Sequence, residues 1–292
     1  MLAPIVIFAF NRPNSLKALI ESLQLNALFE ESEKYIFVDG PRNEEDNKKV
    51  AEVVAYAKSI TPNVIEQAIN KGLGASIIDG VTSIINQYGR AIVLEDDLRL
   101  MPGFLIYMNK ALNTYRDDSR IIAICGYGLK IKRPRGYQSD FYLGVRSSSW
   151  GWGTWADRWN SVDWKVSDFG QFSKDRKAKK AFNLGGSDMY GMLNDYMIGK
   201  NNSWAIRFCY SQFKQSKYSV HPFLSLVDNE GFCADATNTR QKYSRFRITK
   251  NESLNFNLPD NLQPDESILR QLQWYHSIPL RIYSKIRKIM DI

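Results

Sequence analysis

Short, unbroken apolar runs alternate with helical periodicity over the first 125 residues, and this alternation constrains the fold more than any other feature of the chain. The runs are Pro4–Phe10, Tyr35–Val38, Val64–Ala68, Ala91–Leu94 and Ile121–Ile124. Each is rich in Ile, Val or Phe without polar alternation, as expected of a strand covered on both faces. Between them, Leu16, Leu19, Ile20 and Leu23 recur at helical spacing after a cap expected at Asn14. Val50, Val53, Val54 and Ala57 repeat the pattern, as do Ile77, Ile78, Val81, Ile84 and Ile85. Such alternation predicts right-handed crossovers and an α/β, Rossmann-like fold with a mostly parallel central sheet flanked by helices. Ligands of these sheets bind beyond the carboxyl ends of the strands. Here those ends carry Asn11-Arg12-Pro13, Asp39-Gly40-Pro41-Arg42, Asn70-Lys71-Gly72-Leu73-Gly74 and Glu95-Asp96-Asp97.

After Gly126 the pattern shifts to short strands, expected at Phe141–Val145 and Tyr218–Val220, among aromatic clusters and polar connectors. Without a clean linker, residues 126–258 read as the second half of the domain begun by residues 1–125, and 259–292 as a helical or irregular C-terminal extension. Charge divides the same way: residues 1–125 carry a net −3 and residues 126–292 a net +11. The basic residues fall in separate clusters without a recognition module, so nucleic acid is not expected as a partner. Cys125, Cys209 and Cys233 are odd in number and widely spaced, which argues for reduced thiols in a cytoplasmic protein. Membrane-spanning runs are absent from the sequence. The tail mixes Arg281, Lys285, Arg287 and Lys288 with Ile282, Ile286 and Ile289, a pattern that suits either peripheral contact with an anionic membrane or packing on the domain.

Leu94-Glu95-Asp96-Asp97-Leu98 is the strongest local signal for chemistry. Three adjacent carboxylates repel one another unless a cation or hydrogen-bond donors neutralise them. Hard oxygen ligands suit Mg²⁺ or Mn²⁺, which bind through one or two carboxylates together with substrate phosphates. Asp39 at a strand end can accept from a nucleobase or a ribose, or simply shape a turn before Gly40. The glycines of Asn70–Gly74 open a helix, where backbone donors with Lys71 and Gly72 can approach an anion. Arg12 can hold a phosphate or form a surface ion pair. Five of the seven tryptophans fall between Trp150 and Trp164, available to a core or, through Trp150 and Trp152 beside glycines, to a sugar site. His221 and His276 read as structural, and the basic run Arg240, Lys242, Arg245, Arg247 and Lys250 reads as a solvated loop or a lid over a diphosphate.

In this order, Phe10-Asn11-Arg12-Pro13, Phe37-Val38-Asp39-Gly40-Pro41, Asn70–Gly74, Val93–Leu98 and Ser149-Trp150-Gly151-Trp152 resemble bacterial GT-A sugar transferases, and more distantly the N-acetylglucosaminyltransferase I family, over roughly residues 3–240. The resemblance implies a nucleoside-diphosphate sugar donor, Mn²⁺ or Mg²⁺, usual inversion at the anomeric carbon, and a bacterial surface glycan or lipid-linked acceptor. It implies that Asp39 meets the base, that Arg12 lies near the nucleotide, and that Glu95 and Asp96 touch ribose and donor sugar. Asp97 would bind the metal, and Trp150, Trp152, Trp204 and Arg207 would shape the acceptor side. One departure stands out. Where the family carries paired aspartates before a tryptophan, one of them the base, this chain has Asn201-Asn202-Ser203-Trp204. Asp195 and Asp188 are the nearby substitutes. A sugar nucleotidyltransferase or a non-catalytic carbohydrate-binding protein on the same fold are the alternatives.

Overall fold

The computed structural model describes residues 1–229, 245–246 and 248–290. Cys233, Arg240, Lys242 and Arg247 therefore lie outside the described residues. The strands are β1 (Ile5–Ala9), β2 (Lys34–Val38), β3 (Val64–Glu66), β4 (Arg90–Glu95), β5 (Leu98–Leu100), β6 (Ile121–Cys125), β7 (Phe141–Gly144), β8 (Trp152–Trp155), β9 (Tyr218–Pro222) and β10 (Val227–Asn229). The helices are α1 (Pro13–Gln24), α2 (Glu44–Ile60), α3 (Leu73–Tyr88), α4 (Phe104–Thr114), α5 (Ala156–Asn160), α6 (Phe169–Phe172), α7 (Arg176–Phe182), α8 (Met189–Met197), α9 (Trp204–Lys214), α10 (Glu266–Tyr275) and α11 (Ile278–Met290).

Eight strands form one sheet in the order β3-β2-β1-β4-β8-β6-β9-β7, and β5 pairs with β10 in a separate ribbon. The first four are parallel, as the apolar runs predict. Along β1, Ile5, Ile7 and Ala9 join the core on one face, with Leu16, Leu19 and Val53, while Val6 and Phe8 pack on the other with Ile77 and Val81. Burial on both faces explains why β1 lacks polar alternation, whereas β3, at the sheet edge, departs from the expectation with Val64 and Ile65 only half-buried and Glu66 exposed. The expected Asn14 cap is displaced. Pro13 opens α1, where its missing N–H costs nothing, and Asn14 lies inside the helix.

The aromatic segment supplies the element that sequence periodicity does not show. Trp152–Trp155 is β8, antiparallel to both β4 and β6 and wedged between them. Its alternation sends Trp152 to one core and Trp155 to the other. Gly153 permits the close fit, because a Cβ there would stand 2.9 Å from the Ala91 carbonyl oxygen. The acidic run ends β4, turns, and enters β5, which lays Asn229 of β10 opposite Leu98. Among the described residues, no helix is long and apolar enough to cross a membrane.

Candidate functional site

Two cavities open beyond the strand ends. The first, about 280 Å³, lies over β1, β2 and β4 and includes Phe8, Arg12, Phe37, Asp39, Ser76 and Asp96 in its lining. Phe8 and Phe37 stack at 5.2 Å to form an apolar wall. Asp39 straps the opposite side: its Oδ1 accepts from the N–H of Gly40 (3.0 Å) and Lys71 (2.8 Å), and its Oδ2 from the N–H of Gly72 (2.9 Å). The carboxylate thereby fixes the Asn70–Gly74 loop, and its two oxygens are engaged with backbone. Gly72 holds φ +74° before α3, a left-handed conformation suited to glycine. A Cβ on Gly74 would strike the Asn202 carbonyl, so the N-termini of α3 and α9 touch through this position. Lys71 departs from expectation. Its Nζ turns to Asp79 (3.1 Å) at the surface, and it does not line the cavity.

The acids are held by Arg12. Its Nη2 donates to Asp96 Oδ1, and its Nη1 to Asp97 Oδ2 at 3.4 Å. Burial alone would lower the guanidinium pKa, but the two carboxylates outweigh it and raise it. Asp96 is 2% exposed, and its Oδ2 has no hydrogen-bond partner. Burial pushes Asp96 up to about 6 despite Arg12. Glu95 is driven to about 8, first by burial and then by the charges of Asp97 and Asp96. Burial and mutual repulsion thus both favour the protonated form within the trio. Asp97 Oδ1 accepts from Asn229 Nδ2 at 3.3 Å, and Asn229 Oδ1, buried, has no partner. Asn229 escapes sequence reading because β10 carries no motif; the β5–β10 pairing alone brings it to the acids.

For a divalent cation, the donors fit with few protein ligands. All are oxygens, and Asp96 Oδ2 and Asn229 Oδ1 are buried without partners. No cluster of three or more His, Cys, Asp or Glu side chains suited to a metal occurs among the described residues. Asp97 with Asn229 beside it would therefore bind a metal in company with substrate oxygens, and Arg12 occupies part of that ground.

The second cavity, about 290 Å³, is built by the back half: Tyr127, Arg146, Ser147–Ser149, Trp150, Ser203, His221, Phe246 and His276 among others. Trp150 is half-buried and meets Tyr127 edge-on at 4.5 Å. Trp152 and Trp204 do not reach this cavity. At 1% and 5% exposure they stack on each other at 4.8 Å in the core beside Trp159 and Phe208, which corrects their expected place on the acceptor side. Arg207 is likewise buried. Its guanidinium donates to the Ser203 and Trp164 carbonyls and the Tyr196 hydroxyl, so it braces the loops around α9.

Neither expected base fills the cavity. Asp188 accepts from Arg146 Nη1 at 2.9 Å; burial would raise its pKa, but Arg146 prevails and holds it below the usual carboxylate range. Asp195 sits half-buried on α8 and lines neither cavity. At the α9 N-terminus, Ser203 caps the helix by accepting from Ile206 N–H. The cavity's described lining contains no carboxylate. Both ring nitrogens of His221 face carbonyl oxygens, of Tyr127 and Arg146, and burial lowers its pKa to about 4. Burial followed by Arg146 takes His276 to about 3, and its Nδ1 has no partner.

No protein-family profile matches the chain, and no curated protein matches it. Among solved structures, it is similar to residues 1–349 of S. aureus TarS, with a TM-score of 0.43 and 9% identity over 78% of this chain and 60% of that one. It is also similar to the mannosyltransferase PcManGT from Pyrobaculum calidifontis in complex with GDP-Man and Mn²⁺, with a TM-score of 0.37 and 10% identity over 73% of this chain and 74% of that one. The chain thus spans 60% of the TarS fragment's length. At these scores, the functional reading rests on the residues of this chain.

Proposed function

We propose that the chain is a metal-dependent GT-A glycosyltransferase that moves a sugar from a nucleoside-diphosphate donor to a bacterial surface glycan or lipid-linked acceptor. The observation that carries this reading is the first cavity. A backbone-strapped loop, an apolar aromatic wall and the acids Glu95 and Asp96 converge there, Asp97 follows them in the turn, and Ser76 Oγ and Asp96 Oδ2 are buried and unpartnered. The nucleoside would lie along Phe8 and Phe37 over the Asp39-fixed loop, and Arg12 with Glu95 and Asp96 would meet ribose and donor sugar. Asp97, with Asn229, would hold Mn²⁺ or Mg²⁺, which supplies charge neutralisation to the departing diphosphate. In this reading residues 1–125 are the donor half, residues 126–258 the acceptor half and residues 259–292 the extension.

The acceptor would enter the second cavity, where Trp150 offers a stacking face and Ser147–Ser149 offer hydroxyls. Inversion requires a proton acceptor at the attacking hydroxyl. His276 lines that cavity with its Nδ1 buried and unpartnered, and its low pKa makes it a weak base. The absence of a carboxylate from the described lining also favours a second reading, a carbohydrate-binding protein that retains the nucleotide site.

The tail adds a location. Ile278, Ile282, Tyr283, Ile286 and Met290 of α11 are each about half exposed, and Trp274 is 61% exposed just before it. Residues 267–290 contain no acid, and Arg281, Lys285 and Arg287 belong to the same helix. An outward apolar stripe with cations and without acids matches an anionic bilayer surface, so the enzyme would work as a peripheral protein at the cytoplasmic face of a membrane.

A thermal-shift panel of nucleoside-diphosphate sugars with and without Mn²⁺ tests the assignment, since a ligand of the folded state raises its melting temperature. The expected result is a metal-dependent shift that Asp97→Ala abolishes. A metal-dependent shift retained in full by that variant would overturn the assignment, and a binding signal without any sugar transfer would favour the carbohydrate-binding reading.

A further inference from the structure

A third hollow, a groove of about 410 Å³, runs along α11 and is lined by Arg245, Ile278, Arg281, Ile282, Ser284 and Lys285. Among the described residues, three cations and two isoleucines line it, and no acid does. Arg245 Nη1 reaches the Tyr275 carbonyl at 3.5 Å, and its guanidinium lies 4.5 Å over the Phe246 ring. Arg281 Nη1 donates to Ser187 Oγ at 3.2 Å. Among the described residues, neither arginine forms a salt bridge. Asp188 is the described carboxylate near both arginines and is already paired with Arg146, so the cations outnumber it and an anion in the groove relieves their mutual repulsion.

The groove shares no lining residue with the second cavity but adjoins it through neighbouring residues. Phe246, under Arg245, lines that cavity, and Ser187, which receives Arg281, donates through its own Oγ to the His276 carbonyl at 2.8 Å. Ile278 and Ile282 are 58% and 54% exposed, so an apolar chain lying against them would leave along the outer face of the helix.

We propose that this groove binds a phosphate group esterified to an apolar chain, placing the linkage of a lipid-linked acceptor between Arg245, Arg281 and Lys285 while its saccharide enters the Trp150 cavity. The phosphate accepts charge-assisted hydrogen bonds from the two guanidinium groups and the ammonium. The chain covers Ile278 and Ile282, and the sugar stacks at Trp150. The direction of the acceptor relative to the helix follows from this order of groups. The part concerning the saccharide rests on the transferase reading; the phosphate site does not.

The test is calorimetric titration of the full chain with dodecyl phosphate below its micelle concentration, alongside inorganic phosphate and neutral dodecyl glucoside. Dodecyl phosphate is expected to bind most tightly. Arg281→Gln/Lys285→Gln is expected to weaken it roughly tenfold, the size of a lost charge-assisted contact, while leaving dodecyl glucoside unchanged. Ile282→Ser should bring dodecyl phosphate towards inorganic phosphate. Unchanged affinity for dodecyl phosphate in the double variant overturns the site. Inorganic phosphate binding as tightly as dodecyl phosphate overturns the lipid source. Nucleotide binding, measured on the same samples with Mn²⁺, separates the two failures: its loss in the wild type sinks the transferase reading, whereas the phosphate arms decide the groove.

Discussion

The two main cavities are built by opposite means. The first is assembled from strand ends and backbone: Asp39 fastens a loop through three amide N–H groups, and consecutive residues of one turn supply the acids. The second is assembled from distant side chains, with Arg146 and Asp188 brought together across 42 residues and His276 arriving from the C-terminal extension. Charge follows construction. Acids dominate the first, whereas the second borders Arg146, Arg245 and Arg281 with Asp188 as the described carboxylate among them. A site made by local chain can advertise itself as a motif; a site made by tertiary contact cannot.

The largest expected effect breaks the first cavity. Asp97→Ala should lower sugar transfer on the order of 10³-fold, the scale of losing a principal electrostatic contact in a transition state, as measured by initial rates at saturating Mn²⁺. Next comes the division among the tryptophans. Trp152→Ala should destabilise the fold by about 3–5 kcal/mol in denaturant unfolding, as expected for a fully buried aromatic. Trp150→Ala should instead spare stability and raise the acceptor KM. Equal destabilisation by both would erase the distinction between core and cavity.

A smaller effect concerns acid. His221 and His276 have folded pKa values near 4 and 3, against 6.5 for the ordinary group. In that interval the unfolded chain binds more protons, so their contribution to stability is complete above about pH 6.5 and is lost as the pH falls towards 4 and then 3. The raised carboxyl of Glu95 tilts stability the other way, so the comparison to make is wild type against His276→Gln. That variant should show a shallower loss between pH 6.5 and 4; an identical slope would show that His276 charges as freely in the fold as outside it. The smallest effect is at the membrane. Ile282→Ser/Ile286→Ser should reduce co-sedimentation with anionic phosphatidylglycerol vesicles, with little change on neutral phosphatidylcholine vesicles.

Legibility in the sequence followed the same division. β1, β2 and β4 were readable because their buried stretches appear as apolar runs, whereas the edge strand β3 is half-buried and its run is broken by Glu66. β8 was not readable, because Trp, Gly and Thr in alternation fit no single period, and its place between β4 and β6 depends on Gly153 tolerating close backbone. At the first cavity, the sequence located the loop and the acids but misjudged how some side chains are used. Lys71 bonds to Asp79, because its backbone rather than its side chain faces the site. Arg207, Trp152 and Trp204 were chosen for their chemistry, and burial withdrew them from ligand contact. Asn229 could not be read at all, and the cations of the groove could be read only as two separate basic stretches, since strand pairing brings the first to the acids and packing across long separations joins the second.

The contact between Gly74 and Asn202 has a thermodynamic consequence. In the proposed reading a nucleotide at the α3 N-terminus would lie beside Asn202, whose neighbour Ser203 lines the second cavity. Affinities of two ligands linked in this way must change by the same factor, whichever binds first. Donor affinity measured with acceptor present is therefore expected to change by the same factor as acceptor affinity measured with donor present, and enlarging residue 74, which would displace Asn202, should alter that factor.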